Sequence, residues 1–188
     1  MKANRTLLYE RKEKSRYRYG QPDKKSAANG FKCAHCQGFV STEPGFSGVQ
    51  NRNHCPYCLW SRHLDLFAAG DRLSACKAPM RPIGLTNKHT GKKYGPRRGE
   101  LMLIHSCKEC QALSINRIAA DDNPQNIFAV FEGSYLMERI MHDRLESAGI
   151  RLLGEADSPL ILLQLFGDET RLSESFFQDS VIEAAWGT

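Results

Sequence analysis

Long apolar runs are missing from this chain of 188 residues, and with them several signals that would narrow its class. No stretch approaches the ~18 consecutive apolar residues of a membrane-spanning helix, so no membrane association is expected. The opening segment, MKANRTLLYERKEKSRYRYG, has no continuous apolar core of the kind a secretory leader carries. A reducing, cytoplasmic compartment is the expectation that follows, and there paired cysteines hold metal more often than they form disulfides. Aromatic residues are scarce at 9%, and the 41% hydrophobic content suits one ordinary domain or a small domain with appendages. No repeat at a fixed period occurs beyond short cysteine pairs. No thioredoxin-like strand–helix–strand pattern surrounds those pairs either, which argues against thiol redox chemistry.

Acidic residues are also scarce over the first two thirds of the chain. Residues 1–30 carry nine Lys/Arg against three acids and residues 31–120 carry thirteen against five, whereas 121–188 carry four against thirteen. The formal +5 of the whole is therefore +6, +8 and −9 in succession. Clustered cations that displace counterions from phosphate supply most non-specific affinity for nucleic acid. A merely solvated surface is the other reading of the same charges. Residues 1–30 read as a basic, disordered arm, with cations interleaved with Tyr9, Tyr17 and Tyr19. Such an arm suits RNA, whose unpaired bases stack on aromatic rings, or it is a solubilising tail.

What the chain does have is cysteine. All seven, and five of the six histidines, lie between Phe31 and Asn123. Cys33/Cys36, Cys55/Cys58 and Cys107/Cys110 are CxxC pairs, and Cys76 stands alone. Two thiolates at that spacing grip one tetrahedral ion, and a second pair must return to close the shell. Eighteen residues separate Cys36 from Cys55, the spacing of a zinc ribbon or treble clef. Cys33, Cys36, Cys55 and Cys58 are thus expected to bind Zn²⁺ as a first site. Cys76, Cys107 and Cys110 form an incomplete second set, because Leu73 occupies the place of a partner cysteine. A histidine is the usual substitute. His63 precedes Cys76, His105 lies two residues before Cys107 on the same strand face, and His54 is the third candidate. A cross-braced pairing of Cys33/Cys36 with Cys107/Cys110 uses the same thiols, but sequential pairing needs shorter loop closures.

The fold class expected is α+β: small zinc-ribbon or treble-clef-like β lobes with two metal sites, then a short helical appendage. The domains are 1–30, a basic arm; 31–123, the metal-binding domain; and 124–188, an acidic, mainly helical appendage. Asn123-Pro124 reads as an N-cap and first helical residue, followed by a helix over 124–132 with Ile127, Val130 and Phe131 inward. A second helix is predicted over 134–148, with Leu136, Ile140 and Leu145 inward and Gly149 just past its end. LILLQLF, 160–166, fits either a buried strand or a short helix, and a last amphipathic helix is expected over about 170–185.

Taken together, these residues resemble the RNHCP-domain family, whose name is spelled here by Arg52-Asn53-His54-Cys55-Pro56. The likeness covers roughly Phe31 to Asn123. It includes the cysteines, His63, Asp65, Gly70-Asp71-Arg72, Met80, Pro82, Ile83, Gly84, His105 and Asn116-Arg117-Ile118-Ala119. Lys77-Ala78 and Gln111 stand where the family pattern carries glycine, a residue that accepts turn conformations others resist. The resemblance implies a small zinc-ribbon-like module of bacterial-type cytoplasmic proteins and no established reaction.

Three function classes follow. The first is a non-enzymatic zinc protein that binds RNA in a translation- or ribosome-related setting. Its contacts would be Arg52, Arg62, Lys88, Lys92, Lys93, Tyr94, Arg97, Arg98 and Arg117, with the loop Lys88–Arg98 foremost because Tyr94 sits among its cations. The second is a metal-dependent nuclease or hydrolase using His54, His63 and Asp65, with Asp121/Asp122 in support. Against it, Asp121/Asp122 suit a helix start, and the thiolate sites look closed. The third is a protein–protein adaptor acting through 124–188.

Overall fold

The computed structural model describes residues 30–88 and 99–167. Elements run in chain order β1 (Gly30–Lys32), β2 (Phe39–Ser41), α1 (Pro44–Ser47), β3 (Ser61–Arg62), β4 (Pro79–Lys88), β5 (Glu100–Cys107), β6 (Leu113–Arg117), α2 (Pro124–Gly133), α3 (Arg139–Ser147) and α4 (Ser158–Phe166). β1 and β2 form an antiparallel hairpin around the first CxxC. β3 to β6 form a four-stranded antiparallel sheet in sequence order. This is the α+β arrangement expected: small sheets, two cysteine clusters and C-terminal helices.

β5 holds the sheet together. Its sequence, ELMLIHSC, is buried at every position after the first, as befits a strand covered on both faces. Successive side chains alternate between faces. Leu101 and Leu103 join Leu85 of β4 in a core completed by Leu59, Ile127, Phe131, Leu153 and Ile161. Ile104 joins Ile83 and Leu145 on the other side, with Ile115, Met141 and Leu152 packed around them. The sheet is therefore roofed by α2 and α4 on one face and by α3 on the other. Its core draws on both sides of residue 123.

Glycine permits one of these contacts. A Cβ on Gly84 would lie 2.5 Å from Leu152 and 3.3 Å from Ser134. The register also shifts here, between Pro82 and Gly84.

Asn123 caps α2, accepting from the backbone N–H of Gln125 and Asn126, and Pro124 opens it. Ile127 and Phe131 are buried as expected, with Val130 half-buried. The predicted helix over 134–148 is corrected. Ser134–Leu136 form one 3₁₀ turn, Met137 and Glu138 are extended, and α3 begins at Arg139. Leu145 faces inward, but Leu136 and Ile140 are 90% and 71% exposed. Gly149, in a left-handed conformation at φ 68°, ends this segment. LILLQLF belongs to α4, a helix. The basic arm, the loop 89–98 and the last amphipathic helix lie outside the described residues.

Candidate metal centre

Each CxxC sits in a tight turn, the first two closed by the same pair of backbone bonds and the third by the first bond of that pair. The Cys33 N–H donates to the Gly38 carbonyl at 2.8 Å, and the Gln37 N–H returns to the Cys33 carbonyl at 3.0 Å. Cys55 repeats this with Trp60 and Leu59, at 2.9 and 2.8 Å, and the Cys107 N–H reaches the Ala112 carbonyl at 2.9 Å. The residue after the second cysteine is left-handed in every case: Gln37 at φ 65°, Leu59 at 60° and Gln111 at 59°.

The lone Cys76 is built the same way. Lys77, directly after it, has φ 55°. The closing bonds are present too, but they are made by His63: its N–H donates to the Ala78 carbonyl at 2.9 Å, and its carbonyl accepts from Lys77 at 3.2 Å. His63 thus occupies the first-cysteine place of a fourth knuckle. This knuckle is split open by residues 64–75, which form a loop of their own. The loop is fixed by two carboxylates. Asp71 accepts from the N–H groups of Leu66, Phe67, Ala68 and Leu73, and Asp65 from those of Gly70 and Arg72. Those donors, Leu73 first, hold the Asp71 carboxyl well below the usual carboxylate range.

The knuckles close on one another in two groups taken in chain order. Cys33, Cys36, Cys55 and Cys58 place their sulfurs within 4.8 Å of one another, and so do the donor atoms of His63, Cys76, Cys107 and Cys110. Cys33–Cys58 and Cys36–Cys55 are 3.6 and 3.5 Å apart, and Cys76–Cys107 3.7 Å. The His63 Nδ1 lies 3.2 Å from the Cys110 sulfur. A tetrahedral ion with Zn–S bonds of ~2.3 Å sets edges of roughly 3.8 Å, so the donor sets fit a single ion each.

The thiols are electrostatically uneven. The backbone N–H of Gly38 draws Cys36 down to about 7, whereas burial pushes Cys55 up to about 11 and also raises Cys58. In the second cluster burial opposes ionisation of Cys107, but the N–H groups of Cys110 and Glu109 prevail and hold it at about 6. Cys110 is raised: the Ala112 N–H favours its thiolate, but burial and the neighbouring sulfurs outweigh that. Four thiolates at such edges repel one another unless a cation sits among them.

The chain from residue 28 to 128 matches the RNHCP domain, which is more than half its length. This protein belongs to the RNHCP-domain family. No curated protein and no solved structure matches it.

The residues that spell the family string have structural work. Arg52 is fully buried: Nη1 donates to both Asp121 oxygens at 2.7 and 2.6 Å, Nη2 to Asp122 at 3.0 Å and Nε to the His54 carbonyl at 3.1 Å. The His54 Nε2–H donates to the other Asp122 oxygen at 2.8 Å, which also accepts from the Ala119 N–H. The Arg and His of the motif therefore clamp the second knuckle to the turn between β6 and α2. Pro56 and Tyr57 extend the clamp by accepting from the Asn123 N–H and the Asn126 carboxamide.

Several expectations are corrected by this geometry. Arg52 is no phosphate contact, being buried with two carboxylates. Asp121/Asp122 serve the clamp rather than a helix start. His105 belongs to no cluster: its Nε2–H donates to the Leu59 carbonyl at 2.8 Å and its Nδ1 accepts from Asn116 at 2.9 Å. It shares a strand face with Cys107, but both of its ring nitrogens are engaged, by Leu59 and Asn116, and it is His63 that joins the thiols. Burial holds its ring neutral, with the pKa lowered to about 3. The hydrolase trio is dispersed: His54 meets Asp122, His63 faces the thiols and Asp65 serves the loop backbone.

The predicted cations fall at opposite ends of the sheet. Arg62 is exposed beside the cysteine clusters, its Nε on the Lys77 carbonyl. Lys88 lies at the far end of β5, opposite Glu100 and roughly 24 Å away, and Arg117 lies opposite Met102, where it pairs with Glu100 at 2.9 Å. Lys92, Lys93, Tyr94, Arg97 and Arg98 lie outside the described residues. One tie was missed from the sequence. Arg144 of α3 donates to both the side chain and the carbonyl of Gln111, so the residue standing in a glycine place is gripped from outside. No helix among the described residues is long and apolar enough to cross a membrane.

Proposed function

We propose that both clusters hold Zn²⁺ as structural ions and that the protein is a cytoplasmic, non-enzymatic RNA-binding module working in a translation-related setting. The observation that carries this reading is that each cluster offers four protein donors with tetrahedral edges. A closed shell leaves no position for a substrate, unlike catalytic zinc. Zinc would supply cross-linking of the knuckles. The chain's own residues do the rest: the clamp of Arg52 and His54 and the β5 core fix the frame on which cations are carried. A net +8 over residues 31–120 favours a polyanion as partner. Lys88 ends β4 directly before the basic 89–98 segment, so this end of the sheet is the proposed phosphate contact.

A mixed RNA pool titrated at several salt concentrations tests this. Affinity is expected to fall steeply with salt, and replacing Lys92, Lys93, Arg97 and Arg98 by glutamine flattens the slope by about four phosphate contacts at ~0.7–0.9 each. Absent or salt-insensitive binding refutes the reading. A second reading, a protein adaptor acting through the C-terminal segment, is favoured by one observation: Leu136, Ile140 and Tyr135 are large apolar side chains left 90%, 71% and 44% exposed together. A pull-down that survives nuclease treatment and is lost in a Leu136→Ser, Ile140→Ser variant supports it.

A further inference from the structure

A shallow notch on the outside of the first cluster has no part in the frame just described. It lies between the first knuckle and β3 and is lined by Phe31, Ala34, His35, Asn53, Trp60 and Arg62, among others. The His35 and Trp60 rings stack across it, with centroids 4.2 Å apart and planes 6° from parallel. Trp60 is half-buried while His35 is exposed, so the stack runs from the notch wall out to the surface. The ring is held by its own turn, since the His35 N–H donates to the Cys33 sulfur at 3.4 Å. Arg62 follows two positions after Trp60, hence on the same side of the strand, and is also exposed.

Asn53 is the observation that a packing role does not account for. Its side chain lines the notch and the residue is 7% exposed, yet among the described residues its carboxamide has no hydrogen-bond partner. Arg52 and His54 on either side are bonded to Asp121 and Asp122, so the lack is local to this position. Neither of its polar atoms is both buried and unpaired, so the carboxamide is open to the notch, where the edge of a ligand can take the place of water. A carboxamide offers a donor and an acceptor side by side, the pattern that matches the edge of a nucleobase.

We propose that this notch receives an unpaired base of single-stranded RNA. The base extends the His35–Trp60 stack at its surface end, its polar edge meets the Asn53 carboxamide, and the adjoining phosphate meets the Arg62 guanidinium. The notch is too shallow to swallow a base, so only the edge enters. This deepens, and rests on, the RNA-binding reading. It adds a contact that reads a base at the opposite end of the sheet from Lys88. Stacking of this kind is tolerant of sequence and insensitive to salt, so it separates cleanly from phosphate contacts.

The test uses full-length protein carrying Trp186→Phe, which leaves Trp60 as the one tryptophan. It is titrated with a short single-stranded RNA and with an abasic strand of the same length and charge. The RNA is expected to quench Trp60 emission and to bind about tenfold more tightly than the abasic strand, the effect of one stacked base. His35→Ala, and separately Asn53→Ser with metal content verified, are expected to abolish that preference without changing the salt slope. Arg62→Gln lowers the slope by about one contact. Equal binding of both strands without quenching overturns the notch while leaving the electrostatic reading standing. Failure of both strands to bind overturns both.

Discussion

Arg52 is the residue on which the second knuckle turns. Its guanidinium is out of water and satisfied by two carboxylates and a carbonyl. Removing one member of such a network strands the others, at a cost of about 3–5 kcal/mol. Arg52→Ala is therefore expected to lower unfolding stability by that amount in urea titration, and Arg52→Lys to recover little, since an ammonium cannot span both acids. A loss under ~1 kcal/mol would mean the clamp is dispensable. His105 makes a pH prediction of definite sign. Its folded pKa of about 3 lies below the ordinary 6.5, so the unfolded chain takes up a proton first. The stability this ring contributes is complete above about pH 6.5 and is lost as pH falls toward about 3, by up to ~1.4 kcal/mol per pH unit. His105→Gln is expected to lose that part of the decline between pH 7 and pH 5, with metal content followed in parallel. An unchanged slope contradicts the assignment. Neither role was legible in the sequence. A lone Arg or His reads the same whether it meets a phosphate, an ion or a buried carboxylate 70 positions away. Only the cysteines, whose paired spacing points to a shared ion, announced theirs.

At the scale of elements, the split knuckle has the sharpest consequence. Residues 64–75 interrupt a turn whose two ends still bond to each other as an unbroken CxxC does. Replacing the loop by two residues, to give His-x-x-Cys, is therefore expected to leave the second cluster able to bind its ion with unchanged stoichiometry, measured by atomic emission after gel filtration. Loss of one equivalent of metal would show that Asp65 and Asp71 shape the cluster and not just the loop. The sequence carried half of this. Leu73 in the expected cysteine place marked a missing ligand, but a local spacing rule could not choose between His63, ten positions further back, and His105. The short α2 was legible from Asn123-Pro124 and its apolar period. The break at Met137 and Glu138 was not, because SYLMERIMHDRLESA keeps helical spacing through it and only the packing of Leu145 and Met141 against β5 selects where α3 starts.

For the whole molecule, two sources of order meet at β5. One is the pair of clusters at its C-terminal end. The other is an apolar interior that the C-terminal helices complete, with Ile127, Phe131, Leu153 and Ile161 closing over Leu101 and Leu103. Emphasis on the cysteines obscured that second source, although LMLI, IFAVF and LILLQLF are plainly apolar runs. The charge asymmetry was plain from composition, but the separation of Arg62 from Lys88 and Arg117 along the sheet required the register of β3 to β6.

The central claim is that two ions, each held by four side chains, lock the knuckles into this frame. Native mass spectrometry of the full chain with and without a thiol-alkylating reagent tests it in one measurement. The account predicts a mass carrying two zinc ions and seven cysteines that resist alkylation until a chelator is added. A metal-free mass, or rapid alkylation of all seven thiols in protein that stays folded, would contradict it.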